Sequence, residues 1–511
     1  LRWPGGSSNE SIDRIQKSES RIQILRLWCW TLSFRACYSH IINSLMPPAL
    51  ASGPPEKILS SLPADNESSG DARKALNAAD ARDALDAVAP LSSGAAPVRF
   101  IDRLFQLPAV EAFRHREFRL LWLGHSLASM AFWMDQVSRG WLIYELTDSA
   151  LQLGMVRGVQ AIPTLLLSPV AGSTADRFSR KKQILLAQIV DGLMYAALTM
   201  LIFTGAIRPW HVYVSAFVMA IDQTFLQPAR AAIIADAVPR SHLTNAIGLN
   251  SIIFNVARST GPALAGMLIA KFGTVGSYST QALFLFLSTL WTVRLRARAN
   301  APAAHGHAGV GASFGQSVIE GWKFSWRNVT VRSALLVVML ASLFIVPFTT
   351  LLPIFARDIL GVGASGQGLL LTGMGIGALG SAVIIASFGD RLARGKFMLG
   401  GAALYGVGVV AFAASPWFQL SMLLMIVIGL ANVCCHALVQ TVIQTYAPPE
   451  FRGRTMSMFQ LSNVVMTAGS ILIGALATLA GTQWAVVLMG SAGALAMLAI
   501  HCALPRAWQI R

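Results

Sequence analysis

Gly172-Ser173-Thr174-Ala175-Asp176-Arg177-Phe178-Ser179-Arg180-Lys181-Lys182 is a short, densely charged stretch between two apolar runs, roughly residues 150–171 and 183–204. Each run is about 20 residues, enough to cross a bilayer as a helix, so the stretch reads as the turn between two spans. The four cations Arg177, Arg180, Lys181 and Lys182 in so short a connection place it on the cytoplasmic side. A degraded copy follows at Ala386-Ser387-Phe388-Gly389-Asp390-Arg391-Leu392-Ala393-Arg394-Gly395-Lys396. The aspartates of the two copies, Asp176 and Asp390, stand 214 positions apart, each with an apolar run before and after it. A charged turn that recurs after half a protein's length implies two homologous halves. Internal repeats of this kind are the architecture of membrane transporters.

Composition agrees. Of 511 residues, 54% are hydrophobic and only 13% charged, where a soluble domain carries about 25% charge. The net charge of +16 does not indicate nucleic acid, because the cations collect in short loops between apolar runs, as membrane topology requires. Five cysteines, Cys29, Cys37, Cys434, Cys435 and Cys502, have spacing that suits neither a disulfide framework nor a zinc site. Cys434-Cys435-His436 lies within an apolar run, where cysteine packs as a small hydrophobe.

Residues 1–98 differ from the rest, being rich in Ser, Pro, Asp and Ala and punctuated by breakers such as Pro47-Pro48 and Gly53-Pro54-Pro55. They read as a disordered extension. The first methionine is Met46, so residues 1–45 are expected to be an upstream extension of the reading frame. Peptides from residues 14–35 in the native protein would exclude that.

Twelve spans follow, roughly 119–143, 150–172, 183–204, 210–230, 244–270, 275–294, 332–356, 364–388, 397–414, 417–443, 455–480 and 483–504. The expected fold is all-α: a six-helix bundle over 99–298, a cytoplasmic linker over 299–331, a second bundle over 332–505 and a short tail over 506–511. Basic residues alternate sides so that both termini fall in the cytoplasm. The run Gly375-Ile376-Gly377-Ala378-Leu379-Gly380 imitates a dinucleotide-binding loop but lies in the middle of the eighth span. Without a strand before it, it is read as small residues that let helices approach.

Several words together resemble the major facilitator superfamily over residues ~115–505. The stretch Gly172…Asp176-Arg177…Arg180-Lys181-Lys182 looks like that superfamily's signature between spans two and three. Phe118-Arg119-Leu120-Leu121-Trp122-Leu123-Gly124, Phe225-Leu226-Gln227-Pro228-Ala229-Arg230 and Arg452-Gly453-Arg454 resemble the branch of the enterobactin exporter and transmembrane secretion effectors. In the fifth span Gly248, Gly261, Pro262 and Gly266 match an exporter signature, while Ala257 and Ala265 replace its glycines. The resemblance implies a proton-coupled exporter of small, partly hydrophobic molecules, a siderophore-like metabolite or drugs, in the cytoplasmic (inner) membrane. It implies a protein that works as a monomer, needs no cofactor beyond the proton gradient and is not an enzyme. An uptake permease of the same fold is the alternative that the altered glycines keep open. A non-transporting sensor or scaffold is a third reading.

Charges at membrane depth are the remaining signal, since each costs about 2.5–3.5 kcal/mol on insertion scales. They are Asp135, Arg139, Asp191, Asp222 and Arg258, all in the first half. Asp135 and Arg139 are one helical turn apart and can pair. Asp222, with no cation in the core of its own span, is the first choice as proton carrier, and Asp135 the second. Arg258 is a counter-charge to one of these acids or to an anionic substrate. Gly172, Asp176, Arg177 and Arg180, with Asp390 and Arg391 in the second copy, are expected to latch one conformation across the halves. Phe344, Phe348, Met374, Tyr405, Met425 and Met466 are expected to offer an adaptable apolar pocket.

Overall fold

In lipid a backbone must satisfy its N–H and C=O groups within its own segment, so an apolar chain of this kind has to be helical. A computed structural model describes residues 108–296, 322–388 and 393–503. The first half holds α1 (Arg116–Thr147), α2 (Ala150–Arg177), α3 (Arg180–Phe203), α4 (Pro209–Ala237) and α5 (Leu243–Val293). The second holds α6 (Val329–Ile359), α7 (Gly363–Phe388), α8 (Arg394–Ala414), α9 (Phe418–Tyr446), α10 (Glu450–Ala480) and α11 (Thr482–Ala503). No strand occurs among the described residues.

Among the described residues, nine helices are long and apolar enough to cross a membrane. One of them, Arg240–Val293, runs 54 residues, more than twice the usual spanning length. It includes α5, which breaks at Gly273 (φ 67°, ψ −177°) into two arms, close to the predicted boundary between spans 244–270 and 275–294. The left-handed φ there is open to glycine at little cost. Helices α1 and α4 have spanning length, 32 and 29 residues, and carry Asp135, Arg139 and Asp222, which lower their hydropathy. The predicted twelve spans therefore meet nine helices that qualify on length and apolarity alone.

The charged stretch at 172–182 is more helical than predicted. Helix α2 runs on to Arg177 and α3 starts at Arg180, because Phe178 N–H still reaches the Thr174 carbonyl and Gln183 N–H the Ser179 carbonyl. Only Phe178 and Ser179 form the turn. Helix α6 is less regular than predicted: π-turns at Ala341–Ile345 and Phe355–Ile359 flank a 3-10 stretch at Val346–Leu351. Pro347 lies in the 3-10 stretch and Pro353 just after it, and each removes a backbone donor, which breaks the i→i−4 ladder. The residues 1–98, Asp390, Arg391 and most of the linker lie outside the described residues.

The halves meet along two seams, α5 against α7 and α2 against α10. In the first, a Cβ on Gly266 would stand 2.5 Å from the Ala364 carbonyl oxygen, and one on Gly368 would strike the Pro262 carbonyl. In the second, Gly154 faces the Ser470 backbone and Gly474 faces Ala150 and Leu151. Gly154 and Gly368 are themselves 214 positions apart, the interval of the two charged stretches, so the seams are related by the repeat. All four contacts lie near the ends of the helices remote from the 172–182 turn. Toward that turn the helices diverge: Gly248, about 27 Å along α5 from Gly266 by helical rise, and Gly380 have nothing within 4 Å of a Cβ. Leu165, Leu166, Ile247 and Ile252 are exposed there. The molecule is closed at one end and open at the end bearing the charged turn.

Candidate functional site

Five charges were predicted at depth, and the structure sorts them into three environments. Asp135 and Arg139 are both buried on α1 and form a two-point ion pair, Nε to Oδ2 at 2.9 Å and Nη2 to Oδ1 at 3.0 Å. The guanidinium also donates to Ser215 Oγ at 2.8 Å on α4. This pair ties α1 to α4, and Asp135, the second choice as proton carrier, has both oxygens committed to it.

Asp191 on α3 and Asp222 on α4 are neighbours. Gln223 Nε2 donates to Asp191 Oδ2 at 3.3 Å, while Asp191 Oδ1 and Asp222 Oδ2 are buried without a hydrogen-bond partner. A small cavity, about 20 Å³, opens beside Asp191, lined also by Gln188, Gln223, Gln227 and Arg230. That volume holds a single water and offers it several polar partners. The structure thus joins two acids that the sequence reading treated separately. The signal available was the helical period: both lie on helices whose polar positions Gln188, Asp191 and Gln223, Gln227 fall one turn apart.

Arg258 on α5 lies over the Trp133 ring, 5.6 Å from its centroid. It makes no ion pair with either acid, so the counter-charge role toward Asp135 or Asp222 is not the one it has in this state. Ser259 beside it packs against Gly375 of α7, placing Arg258 where the two halves begin to part. The Gly375–Gly380 run serves helix approach, with Gly375 against Ser259 and Gly377 against the Ile426 carbonyl.

Of the exporter-type positions, Gly261, Pro262 and Gly266 lie in close contacts: Gly261 against Trp133 and Met134 of α1, Pro262 and Gly266 against α7. Gly248 faces open space. Of the charged-turn residues, Gly172, Asp176 and Arg177 lie in the last turns of α2. Arg180 does not bridge the halves here. Its Nη1 stands 2.5 Å from Asp236 Oδ2 of α4, within the first half, and Lys181 Nζ reaches the Val293 and Leu295 carbonyls at 2.8 and 2.5 Å. Phe348, Tyr405 and Met425 are at most 1% exposed and belong to the packed core of their half, so the predicted apolar pocket is not built from them.

The sequence reading missed a second polar cluster, at the closed end. Tyr144 donates its hydroxyl to the Asp358 carboxylate, and Arg357 pairs with Asp148, both across the halves. Arg357 also donates Nε to Asp358 at 2.9 Å and lies over the Tyr144 ring at 4.3 Å. Tyr144 and Asp358 are 214 positions apart. That interval, already set by Asp176 and Asp390, was the available signal, since repeat-equivalent residues face each other near the axis relating the halves. Behind this cluster a cavity of about 20 Å³ is lined by Arg139, Arg157 and Gln160 of the first half and Thr349, Pro353 and Gln367 of the second.

The model of the transmembrane secretion effector family matches residues 108–509. The chain belongs to this family, a branch of the major facilitator superfamily. Among its relatives is the staphyloferrin A transporter of Staphylococcus aureus, 22% identical over 372 residues, which are 73% of this chain and 90% of that protein. The multidrug efflux pump Tap of Mycolicibacterium fortuitum is 26% identical over 350 residues, 67% of this chain and 84% of the pump. The macrolide efflux protein A of Streptococcus pyogenes is 21% identical, over 73% of this chain and 93% of its own length. Among solved structures, the nucleoside transporter NupG superposes with a TM-score of 0.62 at 13% identity, covering 76% of this chain and 99% of its own. A bacterial homologue of the lysosomal transporter Spinster, in an inward-facing unoccupied state, gives 0.57 at 15% identity, covering 79% and 96%. The transmembrane secretion effector described here is therefore a multi-pass membrane transporter, and the solved structures share its fold.

Proposed function

We propose that the protein is a proton-coupled exporter of small, partly hydrophobic molecules, siderophore-like metabolites or drugs, across the cytoplasmic membrane. It works as a monomer, with both termini in the cytoplasm and twelve passes through the lipid. The proton gradient is its only energy source. With the charged turn at the cytoplasmic face, the structure is an inward-open state, and export follows when the inner end closes and the seams at the outer end part. The carrying observation is that the close contacts between halves gather at one end and leave the other open. An alternating-access cycle requires a state of this form.

The Asp191–Asp222 pair supports proton coupling. Adjacent carboxylates repel when both are charged, and a proton on one relieves the repulsion. Loading and release on opposite sides would then couple to the rocking of the halves. The groups facing the pair are Gln223, Arg230 and, further off, the Asp135–Arg139 ion pair. Export is favoured over uptake by the names of the relatives and by the Gly261-Pro262…Gly266 contacts.

Inside-out and right-side-out vesicles holding the protein separate the readings. A lipophilic fluorescent dye is expected to accumulate in inside-out vesicles with an acidic lumen, and an uncoupler to abolish this. Asp222→Asn should remove the proton dependence. Accumulation that ignores the uncoupler, or that occurs only in right-side-out vesicles driven by external acid, refutes the export reading.

A further inference from the structure

The point where the two halves part carries a cation that the protein leaves without an anion. Among the described residues Arg258 makes neither a hydrogen bond nor an ion pair, and it lies over the Trp133 ring face. A guanidinium has five N–H donors, and a ring face satisfies none of them. Among the described residues no acid is placed to serve. Asp135 is held by Arg139, and Asp191 and Asp222 face each other and Gln223. The described acids of the second half, Asp358 and Glu450, lie at helix ends.

The surroundings supply the rest of a site. Trp133 is edge-to-face with Phe254 at 5.5 Å, and its indole N–H is buried with no acceptor. Phe254 is 37% exposed on the open side. A desolvated unpaired cation is costly. A flat aromatic body against Trp133 and Phe254, with its carboxylate received two-point by the guanidinium, supplies the missing anion.

We propose that Arg258, with Trp133 and Phe254, forms a binding site for the carboxylate of an otherwise apolar, aromatic substrate. This rests on the transporter reading above and adds the substrate class. In the inward-open state the site faces the cleft and accepts substrate from the cytoplasm.

The test uses the full chain in phosphatidylcholine nanodiscs and two fluorescent probes of one shape, dansylglycine with a carboxylate and dansylglycinamide without. Dansylglycine is expected to bind at least tenfold more tightly. Arg258→Gln should weaken dansylglycine binding at least tenfold and so erase that preference, and Arg258→Lys should keep part of it. Competition in the wild type by benzoate but not benzamide gives the same reading independently of how any variant folds. Equal binding of the two probes, no binding of either, or a preference that survives in Arg258→Gln overturns the site. Vesicle transport of the same pair separates the two levels. Binding preference without transport leaves the site standing and refutes export. Transport indifferent to Arg258 and to the carboxylate refutes the site and leaves export standing.

Discussion

Gly266→Ala is the most direct test of how the closed end is held. A Cβ there stands 2.5 Å from the Ala364 carbonyl oxygen and 3.2 Å from Gly368 Cα. Both are backbone atoms of α7, so no side chain can swing away. Ordinary contact demands that α5 and α7 separate by about 1 Å, and overpacking of this kind costs about 1–3 kcal/mol. The cost falls on the state in which this seam is closed and is absent once the helices have parted. The equilibrium should therefore move toward the outward-open state by about 5- to 150-fold. A cysteine at Gln367, 2% exposed and lining the cavity between the halves, reports the change. In a background with all five native cysteines replaced, a membrane-impermeant maleimide added outside should label it at least fivefold faster in Gly266→Ala. Unchanged labelling of a protein that remains folded would refute the reasoning that this seam holds the outer end shut.

Three further perturbations follow from the same geometry. Asp148→Asn removes the charge of a pair with Arg357 whose side chains are 37% and 69% exposed, worth less than about 1 kcal/mol after solvent screening. Labelling at residue 367 should rise less than fivefold, and in 1 M salt, with a Debye length of about 3 Å, wild type and variant should converge. Asp135→Ala leaves Arg139 buried with no counter-charge, at a cost of about 3–5 kcal/mol. Its thermal unfolding should shift well below wild type, and adding Arg139→Met should restore most of the loss. A single variant as stable as wild type would show the pair to be dispensable. A Cβ at Gly248 meets nothing within 4 Å in this state, so the unfolding temperature of Gly248→Leu should match wild type. The variant should nevertheless slow transport and reduce labelling at residue 367, because the larger side chain obstructs closure of the inner end. Full transport activity would exclude Gly248 from that seam.

Topology was largely legible because it rests on signals that survive in one dimension. The 214-residue interval between Asp176 and Asp390 announced the repeat, and apolar run length located the helices to within a few residues. The Asp135–Arg139 pair was legible too, since residues four apart on a helix must meet. What escaped needed a third dimension. The cluster of Tyr144, Asp148, Arg357 and Asp358 joins residues about two hundred positions apart that look like ordinary loop polarity when read singly. A latch depends on the state of the molecule, and in this state Arg180 pairs with Asp236 of its own half. The buried Phe348 and Tyr405 show the limit of composition, since soft or aromatic residues line a cavity or fill a core according to helix rotation alone.

The magnitudes also decide what makes the protein two-state. Exposed ion pairs at the closed end contribute less than about 1 kcal/mol each, too little to hold a population against a substrate or a proton. The seams are different. Backbone-to-backbone contact at Gly266, Gly368, Gly154 and Gly474 engages many atoms at once, and such packing is either formed or lost, with no partial version at comparable energy. Relating the two seams by the repeat means that both part together when the halves rotate. The free-energy difference between states is then the sum over two cooperative interfaces, and the rim charges adjust it. A carboxylate entering beside Arg258, or a proton on the Asp191–Asp222 pair, acts a few helical turns from those seams. Either can bias the balance only if it binds the two states unequally. Arg258 meets this requirement by position. It sits next to Ser259, where α5 contacts Gly375, so parting of that seam moves the guanidinium relative to the second half.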